Sequence, residues 1–224
     1  MRLVIGCPVA ERAWILSNWL QAIEEQNIEC EIVCVYSTSH DETKQILTEW
    51  GVTILHDQLP PRPVHEIDNH SWGTFSKYEY MALLRNKLLA YCACTDTDYF
   101  FSLDSDILLP SHGLKTLLDY LQAHEGVVAP AVNMAHFHNT AWNTMSFADP
   151  YHPGMAERKT KWPKSGQVDV VMAAMLLDRK GMEARWCAHT QGEDIGFSID
   201  ARYKKIPLWW LGEVRCDHVM RRYS

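Results

Sequence analysis

Short apolar runs alternate with amphipathic stretches along residues 1–130, and this alternation restricts the folds open to the chain. The runs have the length of buried strands, whereas the stretches between them repeat apolar residues every three or four positions, as helices do. The strand-like runs are 3–7, 32–35, 52–55, 99–103 and 127–129. Strand–helix–strand alternation is typical of a parallel sheet with right-handed crossovers. We therefore expect an α/β fold, with a mostly parallel sheet flanked by helices.

The chain is less regular beyond residue 130. Residues 133–167 follow neither a strand nor a helix period, which predicts a long surface loop. A strand over 168–177, a short helix over 195–203 and a last strand over 206–211 are expected to follow. The length of 224 residues, without repeats or low-complexity segments, predicts a single domain, 1–224.

Composition argues against several classes of function. The formal net charge of −7 is unsuited to a nucleic-acid binder, which normally carries a basic face. No run has the length of a membrane span, so no integral membrane segment is expected. The seven cysteines are odd in number and form no Cys-x-x-Cys pair, which is typical of reduced thiols in a cytoplasmic protein.

The strongest functional signal is the triplet Asp104-Ser105-Asp106, which directly follows the apolar run 99–103. Open α/β sheets bind ligands at the carboxyl ends of their strands, where these two carboxylates are expected to lie. Oxygen ligands at this spacing suit a hard divalent cation, and such ions often hold substrate phosphates. The alternative is a solvated turn, or an aspartate that caps the following helix.

Four further segments occur in the order found in a known enzyme family. They are Ser39-His40-Asp41-Glu42-Thr43, Arg85-Asn86, the apolar run 168–177 and Gly192-Glu193-Asp194-Ile195-Gly196-Phe197. Together with the acidic triplet, these segments resemble the GT-A-type glycosyltransferases, most closely the family 2-like group. The last segment is also similar to the Mnn9/Anp1-like mannosyltransferases. The chain departs from family 2 at Tyr36-Ser37, where an aspartate usually contacts the base, and it lacks the Gln-x-x-Arg-Trp motif of processive synthases.

The resemblance implies a GT-A fold, with a nucleotide-binding half (1–110) and an acceptor-binding half (111–224). Its donor would be a UDP- or GDP-linked sugar, and its acceptor a glycan, lipid or other hydroxyl compound. Mn²⁺ or Mg²⁺ would be held by Asp104, Asp106 and His218, although His218 could instead be a surface or capping histidine. The expected nucleotide-binding residues are Pro8, Val9, Arg12, Ser37, Asp41, Arg85, Asp104 and Ser105.

A general base must take the proton of the acceptor hydroxyl, and a partly buried carboxylate suits that task. Asp194 is the candidate, with Glu193 orienting the acceptor or sharing the role. Asp194 could instead cap a helix or complement its dipole in the first turn. The diphosphate candidates Arg12, Arg85 and Lys87 could each be solvated helix residues.

Several residues of the irregular stretches are weaker candidates. Trp72, Trp142 and Trp162 could form an acceptor platform, because aromatic faces pack against sugar C–H surfaces. The basic cluster Arg158, Lys159, Lys161 and Lys164 could close over the diphosphate as a lid, or be a solvated loop. His136 and His138 share one face of an extended segment and could form a metal pair.

The sequence is also compatible with two other functions. Residues 101–106 also resemble the first motif of the haloacid-dehalogenase phosphatases, in which the first aspartate is the nucleophile and the second an acid. Those enzymes place the motif on their first strand, whereas three strands are expected to precede it here. A noncatalytic nucleotide-sugar or glycan-binding module is the third possibility, although a binder has no need of the acid pair Glu193 and Asp194.

Overall fold

The computed structural model describes residues 1–56, 75–133, 142–149, 151–158 and 164–220. The helices are α1 (Ala13–Glu24), α2 (Thr43–Glu49), α3 (Phe75–Cys94), α4 (Gly113–Ala123) and α5 (Glu193–Tyr203), with a 3₁₀ turn at Gly181–Glu183. The strands are β1 (Leu3–Val9), β2 (Glu31–Tyr36), β3 (Thr53–His56), β4 (Tyr99–Leu103), β5 (Ile107–Leu108), β6 (Val127–Val132), β7 (Thr144–Phe147), β8 (Ala156–Arg158), β9 (Gly166–Val168), β10 (Val170–Val171), β11 (Ala174–Leu177) and β12 (Leu208–His218).

Nine of these strands form one mixed sheet in the order β3-β2-β1-β4-β11-β6-β12-β5, with β9 paired to β12. Strands β3, β2, β1 and β4 are parallel neighbours, and β6 is parallel to β12. Strand β11 runs antiparallel to both β4 and β6, so the parallel strands on its two sides point the same way. The prediction of a mostly parallel sheet flanked by helices is confirmed.

Each face of the sheet is covered by helices. Helices α1, α2 and α4 pack on one face, through side chains such as Leu16, Leu47 and Leu117. Helices α3 and α5 pack on the other, through Leu88 and Phe197. Burial of both sheet faces explains why the strands read as continuous apolar runs rather than as alternating ones.

The second half of the chain differs from its prediction in three places. The expected loop over 133–167 contains β7 and β8, and β7 pairs with both β8 and β10 in a separate three-stranded sheet. The expected strand over 168–177 is broken into parts of β9, β10 and β11. The last strand continues to His218 instead of ending at 211. Its second part was missed because exposed charged residues alternate there with buried Val214 and Cys216. Mixed polarity hid β7, β8 and β9, whereas β10 and β11 lie in an apolar run whose interruption between them has no sequence signal.

The two halves expected at 1–110 and 111–224 share the main sheet, because β4 pairs with β11. All seven cysteines are free thiols. Within the described ranges, no helix has both the length and the apolar character needed to cross a membrane.

Candidate active site

The acidic triplet lies in the turn between β4 and β5, at the carboxyl edge of the parallel strands. Strand β5 pairs antiparallel with the end of β12, with Ile107 opposite His218. The backbone N–H of Val219 also donates a hydrogen bond to the carbonyl oxygen of Asp106, at 2.8 Å. This pairing explains how a histidine more than a hundred residues away in sequence comes to lie beside Asp106.

Asp106 lies between a histidine and an arginine. Its Oδ1 atom is 3.8 Å from Nε2 of His218, and its Oδ2 atom is 3.5 Å from Nη2 of Arg12. The Arg12 side chain is 37% exposed, so its guanidinium remains accessible to a ligand. This group of Arg12, Asp106 and His218 is called the open rim below.

The open rim provides only part of a metal site. In the described portion of the chain, no group of three His, Cys, Asp or Glu side chains could hold a metal ion. Two ligands of one octahedral Mg²⁺-like ion lie about 3 Å apart when adjacent and about 4 Å when opposite. The 3.8 Å separation of Asp106 and His218 is compatible with that range, so an ion there would need phosphate or water oxygens to complete its shell.

Asp104, the third expected metal ligand, faces a buried arginine. Its Oδ1 atom accepts a hydrogen bond of 2.8 Å from Nη2 of Arg85, whose side chain is 3% exposed. Arg85 also donates from Nη1 to Oγ of Ser102 at 3.0 Å, and from Nε to Oε1 of Glu193 at 3.2 Å. Arg85 is therefore not a solvated helix residue. All three nitrogens of its guanidinium already donate to the protein, so the structure does not present it as an open diphosphate contact.

Three carboxylates surround this one cation, because Asp194 Oδ1 is 4.0 Å from Nε of Arg85. We call Arg85, Asp104, Glu193 and Asp194 the buried cluster. Desolvation opposes the charge of Arg85, but attraction to Asp104, Asp194 and Glu193 outweighs it and raises the guanidinium pKa. Desolvation also opposes the charge of Asp104 and thereby raises its carboxyl pKa, although attraction to Arg85 acts in the opposite direction.

Glu193 is the first residue of α5, and its pKa is raised to about 7. Burial is the largest cause, repulsion from Asp194 adds to it, and attraction to Arg85 opposes it. Among the described residues, the hydrogen bond that Glu193 accepts from another residue is the one from Arg85 to Oε1, and a hydrogen bond from its own backbone N–H lowers the carboxyl pKa slightly. Glu193 therefore combines a pKa near neutrality with a single bond from another described residue.

Both carboxylate oxygens of Asp194 accept hydrogen bonds from fixed donors. Oδ1 accepts one from Nε1 of Trp186, and Oδ2 accepts one from the backbone N–H of Ala173, both at 2.9 Å. Burial raises the pKa of Asp194, and Arg85 partly offsets this. Gly192, not Asp194, is the N-cap of α5, so the capping alternative is wrong, whereas the first-turn position is correct.

Close backbone packing sets the position of α5. A Cβ atom on Gly196 would lie 2.0 Å from the carbonyl oxygen of Cys187, so any larger residue would push the helix away. Asn86 fixes the same segment from α3, since its Nδ2 donates to the Trp186 carbonyl at 2.7 Å and its Oδ1 accepts from the Trp186 N–H at 3.0 Å. Arg85 thus bonds Glu193 directly, whereas Asn86 fixes Trp186, which in turn bonds Asp194.

The expected nucleotide-side residues gather at the ends of β1 and β2, where Pro8 is half-buried and Val9 is buried. Ser37 donates its N–H to the Val9 carbonyl at 3.1 Å, and its buried hydroxyl lies 3.1 Å from the Tyr80 hydroxyl. Asp41 accepts hydrogen bonds from the N–H groups of Ala13 and Thr43, at 3.0 and 3.1 Å. Its carboxylate therefore connects the segment that follows β1 to the segment that follows β2.

Desolvation acts against the charge of Asp41, but hydrogen bonds from Thr43 and Ala13 outweigh it and lower the carboxyl pKa. Ser105 is buried inside its turn, with 3% of its surface exposed, so its side chain is not presented on the surface. Lys87 bonds through Nζ to the carbonyl oxygen of His56, at the end of β3.

The remaining candidates contribute less. Trp142 is half-buried and packs edge-on against Trp210, with ring centroids 6.3 Å apart, so it lies against the core. Lys164 is exposed. Trp72, His136, His138, Lys159, Lys161 and Trp162 lie outside the described residues, as does the side chain of Arg158.

Sequence reasoning missed Ser102, Asn86 and Trp186 as partners of the site. Only Asn86 carried a signal, through its place beside Arg85 in the family-like pair.

No family model matches the chain. Procollagen galactosyltransferase 1-B from Xenopus laevis is 29% identical over 120 residues, which cover 49% of this chain and 19% of that protein. The chain thus matches about a fifth of the length of this relative.

Solved structures match over almost the whole chain. TarS of S. aureus has a TM-score of 0.65 and 13% identity, covering 98% of this chain and 37% of its own. The mannosyltransferase PcManGT from Pyrobaculum calidifontis, in complex with GDP-Man and Mn²⁺, has a TM-score of 0.65 and 16% identity, covering 99% and 58%.

A third match is glucosyl-3-phosphoglycerate synthase from Mycobacterium tuberculosis, in complex with Mn²⁺, UDP and glucosyl-3-phosphoglycerate. It has a TM-score of 0.59 and 14% identity, covering 99% of this chain and 73% of its own. At these identities the likeness is one of fold. The prediction made from the motifs is confirmed at that level: the chain has the fold of the GT-A glycosyltransferases.

Proposed function

We propose that this chain is a metal-dependent glycosyltransferase, which moves a sugar from a nucleoside-diphosphate sugar to an acceptor hydroxyl. The observation that carries the proposal is the open rim, where Arg12, Asp106 and His218 meet at the carboxyl edge of the sheet. An edge of this kind is where open α/β folds bind ligands. A cation and two potential metal ligands beside each other suit a diphosphate better than an uncharged ligand.

The open rim would hold a divalent ion through Asp106 and His218, with Asp104 contributing through water or contacting the ribose. Such an ion, when bound, acts as a Lewis acid toward the departing diphosphate. An imidazole ligand favours Mn²⁺ over Mg²⁺, and two of the solved structures with this fold contain Mn²⁺. Arg12 is proposed to bind a phosphate oxygen, since its guanidinium is half-exposed and lies at the rim.

The acid pair Glu193 and Asp194 is proposed to serve the acceptor side. The sequence pointed first to Asp194 as the base, but the contacts favour Glu193, because Asp194 accepts a bond from another residue on each oxygen, whereas the described residues donate one such bond to Glu193. Glu193 would take the proton of the acceptor hydroxyl while that oxygen bonds to the anomeric carbon and the bond to the diphosphate breaks. A base with a pKa near the working pH is suited to this transfer.

A UDP- or GDP-linked sugar is the proposed donor, because the fold relatives were solved with UDP or GDP-Man. The proposed acceptor is a glycan, a lipid or another hydroxyl compound. Free thiols at all seven cysteines suit a reducing compartment, and we propose the cytoplasm.

The deciding experiment is calorimetric titration of UDP and GDP with and without Mn²⁺. We expect Mn²⁺ to increase nucleotide affinity, and Asp106→Ala to abolish that gain. Asp217→Ala is the matched control, since Asp217 is exposed one residue from His218 and should leave the gain intact.

Equal affinity in the presence of a chelator, or Mn²⁺-dependent binding by Asp106→Ala, would contradict the metal assignment. Assays with UDP- and GDP-sugars then test the reaction class. Phosphate release from phosphosugars without an acceptor would instead identify a phosphatase. Donor binding without transfer would identify a binding module.

A further inference from the structure

A strained turn connects the acid pair to the acidic triplet. The N–H of Ala174 donates to the carbonyl oxygen of Met172 at 2.8 Å, and Ala173 between them has a φ of 69°. A hydrogen bond across one residue with positive φ defines the rarer form of the γ-turn. A residue with a Cβ atom persists in this region only where its surroundings hold it there.

Two aspartates hold the turn from opposite sides. Asp194 Oδ2 accepts the N–H of Ala173 at 2.9 Å. The carbonyl oxygen of Ala173 accepts the N–H of Asp104 at 3.1 Å, next to the pairing of Ala174 with Leu103. A continuous path of two hydrogen bonds and one residue therefore joins the Asp194 carboxylate to the first residue of the triplet.

The orientation of the Asp194 carboxylate is itself fixed. Trp186 donates its indole N–H to Oδ1 at 2.9 Å, and both backbone polar groups of Trp186 are bonded to the Asn86 side chain. Trp186 is 2% exposed and packs on Phe197, with ring centroids 4.4 Å apart. The carboxylate is thus anchored to α3 and α5 on one side, and bonds the turn on the other.

We propose that Asp194 is a positioning residue, which holds the γ-turn at Ala173 and thereby the backbone of Asp104. The relevance of this link to catalysis rests on the proposed function, whereas the link itself does not. Because Asp104 and Asp106 share one short turn, a shift at Asp104 also displaces the ligand that Asp106 supplies. Loss of Asp194 should therefore weaken metal-dependent nucleotide binding, an effect that a pure proton acceptor does not have.

The experiment compares Asp194→Ala, Ala173→Gly and the double variant. Hydrogen exchange at the Asp104 amide, followed by NMR in the ligand-free protein, reports the link directly. We expect Asp194→Ala to speed exchange about tenfold or more, because the strained turn opens without its acceptor. Glycine adopts positive φ without that strain, so Ala173→Gly in the same chain should restore most of the protection.

Two controls separate this effect from a general loss of stability. The Ser37 amide bonds Val9 elsewhere on the same edge and should keep its exchange rate in Asp194→Ala. Glu193→Gln removes the neighbouring negative charge without touching Ala173, and should also leave the Asp104 amide protected. Equal acceleration at Ser37 and Asp104, unchanged exchange in Asp194→Ala, or failure of Ala173→Gly to restore protection would each overturn the proposal.

Calorimetry with UDP or GDP and Mn²⁺ then tests the functional consequence. We expect Asp194→Ala to lose affinity at least about tenfold and the double variant to recover it, in parallel with exchange. If the parent protein binds no nucleotide, the proposed function fails while the exchange result still decides the link. If Asp194→Ala does not fold, a folded double variant supports the proposal, and an unfolded one contradicts it.

Discussion

Two arginines that differ in exposure pair with the two aspartates of one acidic turn, of which Asp104 is 30% and Asp106 18% exposed. Arg85 is 3% exposed and bonds Asp104 at 2.8 Å, whereas Arg12 is 37% exposed and approaches Asp106 at 3.5 Å. Buried charge must be satisfied by the protein itself, and Arg85 uses all three nitrogens to do so. Exposed charge remains available to a ligand. The buried cluster therefore satisfies its own charges, and the open rim is the part for which we propose a ligand.

The largest effect should follow from removing the buried cation. Arg85→Met leaves three carboxylates near one another without compensation, and breaking a buried ion pair typically costs about 3–5 kcal/mol. We expect a loss of this size in the free energy of unfolding, measured with urea at pH 8. The loss should be smaller at pH 5, because Glu193, whose pKa is raised to about 7, is protonated there and one carboxylate fewer is left uncompensated.

Arg85→Lys is the matched control, because it keeps the charge but lacks the three-nitrogen fork, and it should fall between the parent and Arg85→Met. A loss of unfolding free energy below about 1 kcal/mol in Arg85→Met would remove the distinction between the two arginines, since exposed ion pairs contribute that little to stability.

Glu193→Gln should give the next largest effect, on turnover. The amide keeps the shape of the side chain but cannot accept the proton, so we expect turnover to fall about 100-fold while donor affinity stays nearly unchanged. Turnover of the parent should rise with pH through about 7, as Glu193 loses its proton. Glu183→Gln, at an exposed position, is the control. If Glu193→Gln kept the turnover of the parent, a residue other than Glu193 would have to be the base.

The same residue links stability to pH. The pKa of Glu193 is higher in the folded chain than its ordinary value of 4.5. Its contribution to stability is therefore fully present below about pH 4.5 and is lost as the pH rises through about 7. Urea unfolding of the parent and Glu193→Gln across this range should show a smaller decline in the variant. Identical declines would exclude Glu193 as the titrating group.

The smallest change in stability should come from Arg12→Ala. We expect the free energy of unfolding to change by less than about 0.5 kcal/mol, as is usual for exposed ion pairs. Nucleotide affinity with Mn²⁺ should nevertheless fall about tenfold, because a charge-assisted bond to phosphate is lost. Arg12→Lys should retain part of that affinity. Destabilisation comparable to that of Arg85→Met would contradict the division into a buried cluster and an open rim.

The sequence could predict features that follow from local apolar patterns. Strands β1 to β4 are mostly apolar runs, so both the parallel sheet and the position of the acidic triplet follow from periodicity. The burial of Arg85 could also have been predicted, since Met81, Leu84 and Leu88 place position 85 on the apolar side of α3. The long charged side chain nevertheless suggested a solvated position.

Contacts that join distant segments could not be predicted in this way. The bond from Asp194 to Ala173 depends on an irregular turn inside a run that resembles one strand. The closeness of His218 to Asp106 depends on the pairing of β5 with β12, and β5 is only two residues long, whereas charged residues interrupt the end of β12. A resemblance to a family suggested these residues, but only the fold brings them together.

The antiparallel β11 in the middle of the sheet also affects how the chain is made. Strand β4 ends at residue 103, yet the neighbour that covers its edge begins at residue 174. During synthesis, the segment with Phe100 and Phe101 therefore presents an unpaired, apolar edge until about seventy more residues have been added. A fragment that stops at residue 110 keeps this edge permanently and is expected to aggregate. Expression of residues 1–110 alone is thus the wrong route to a soluble fragment of this fold.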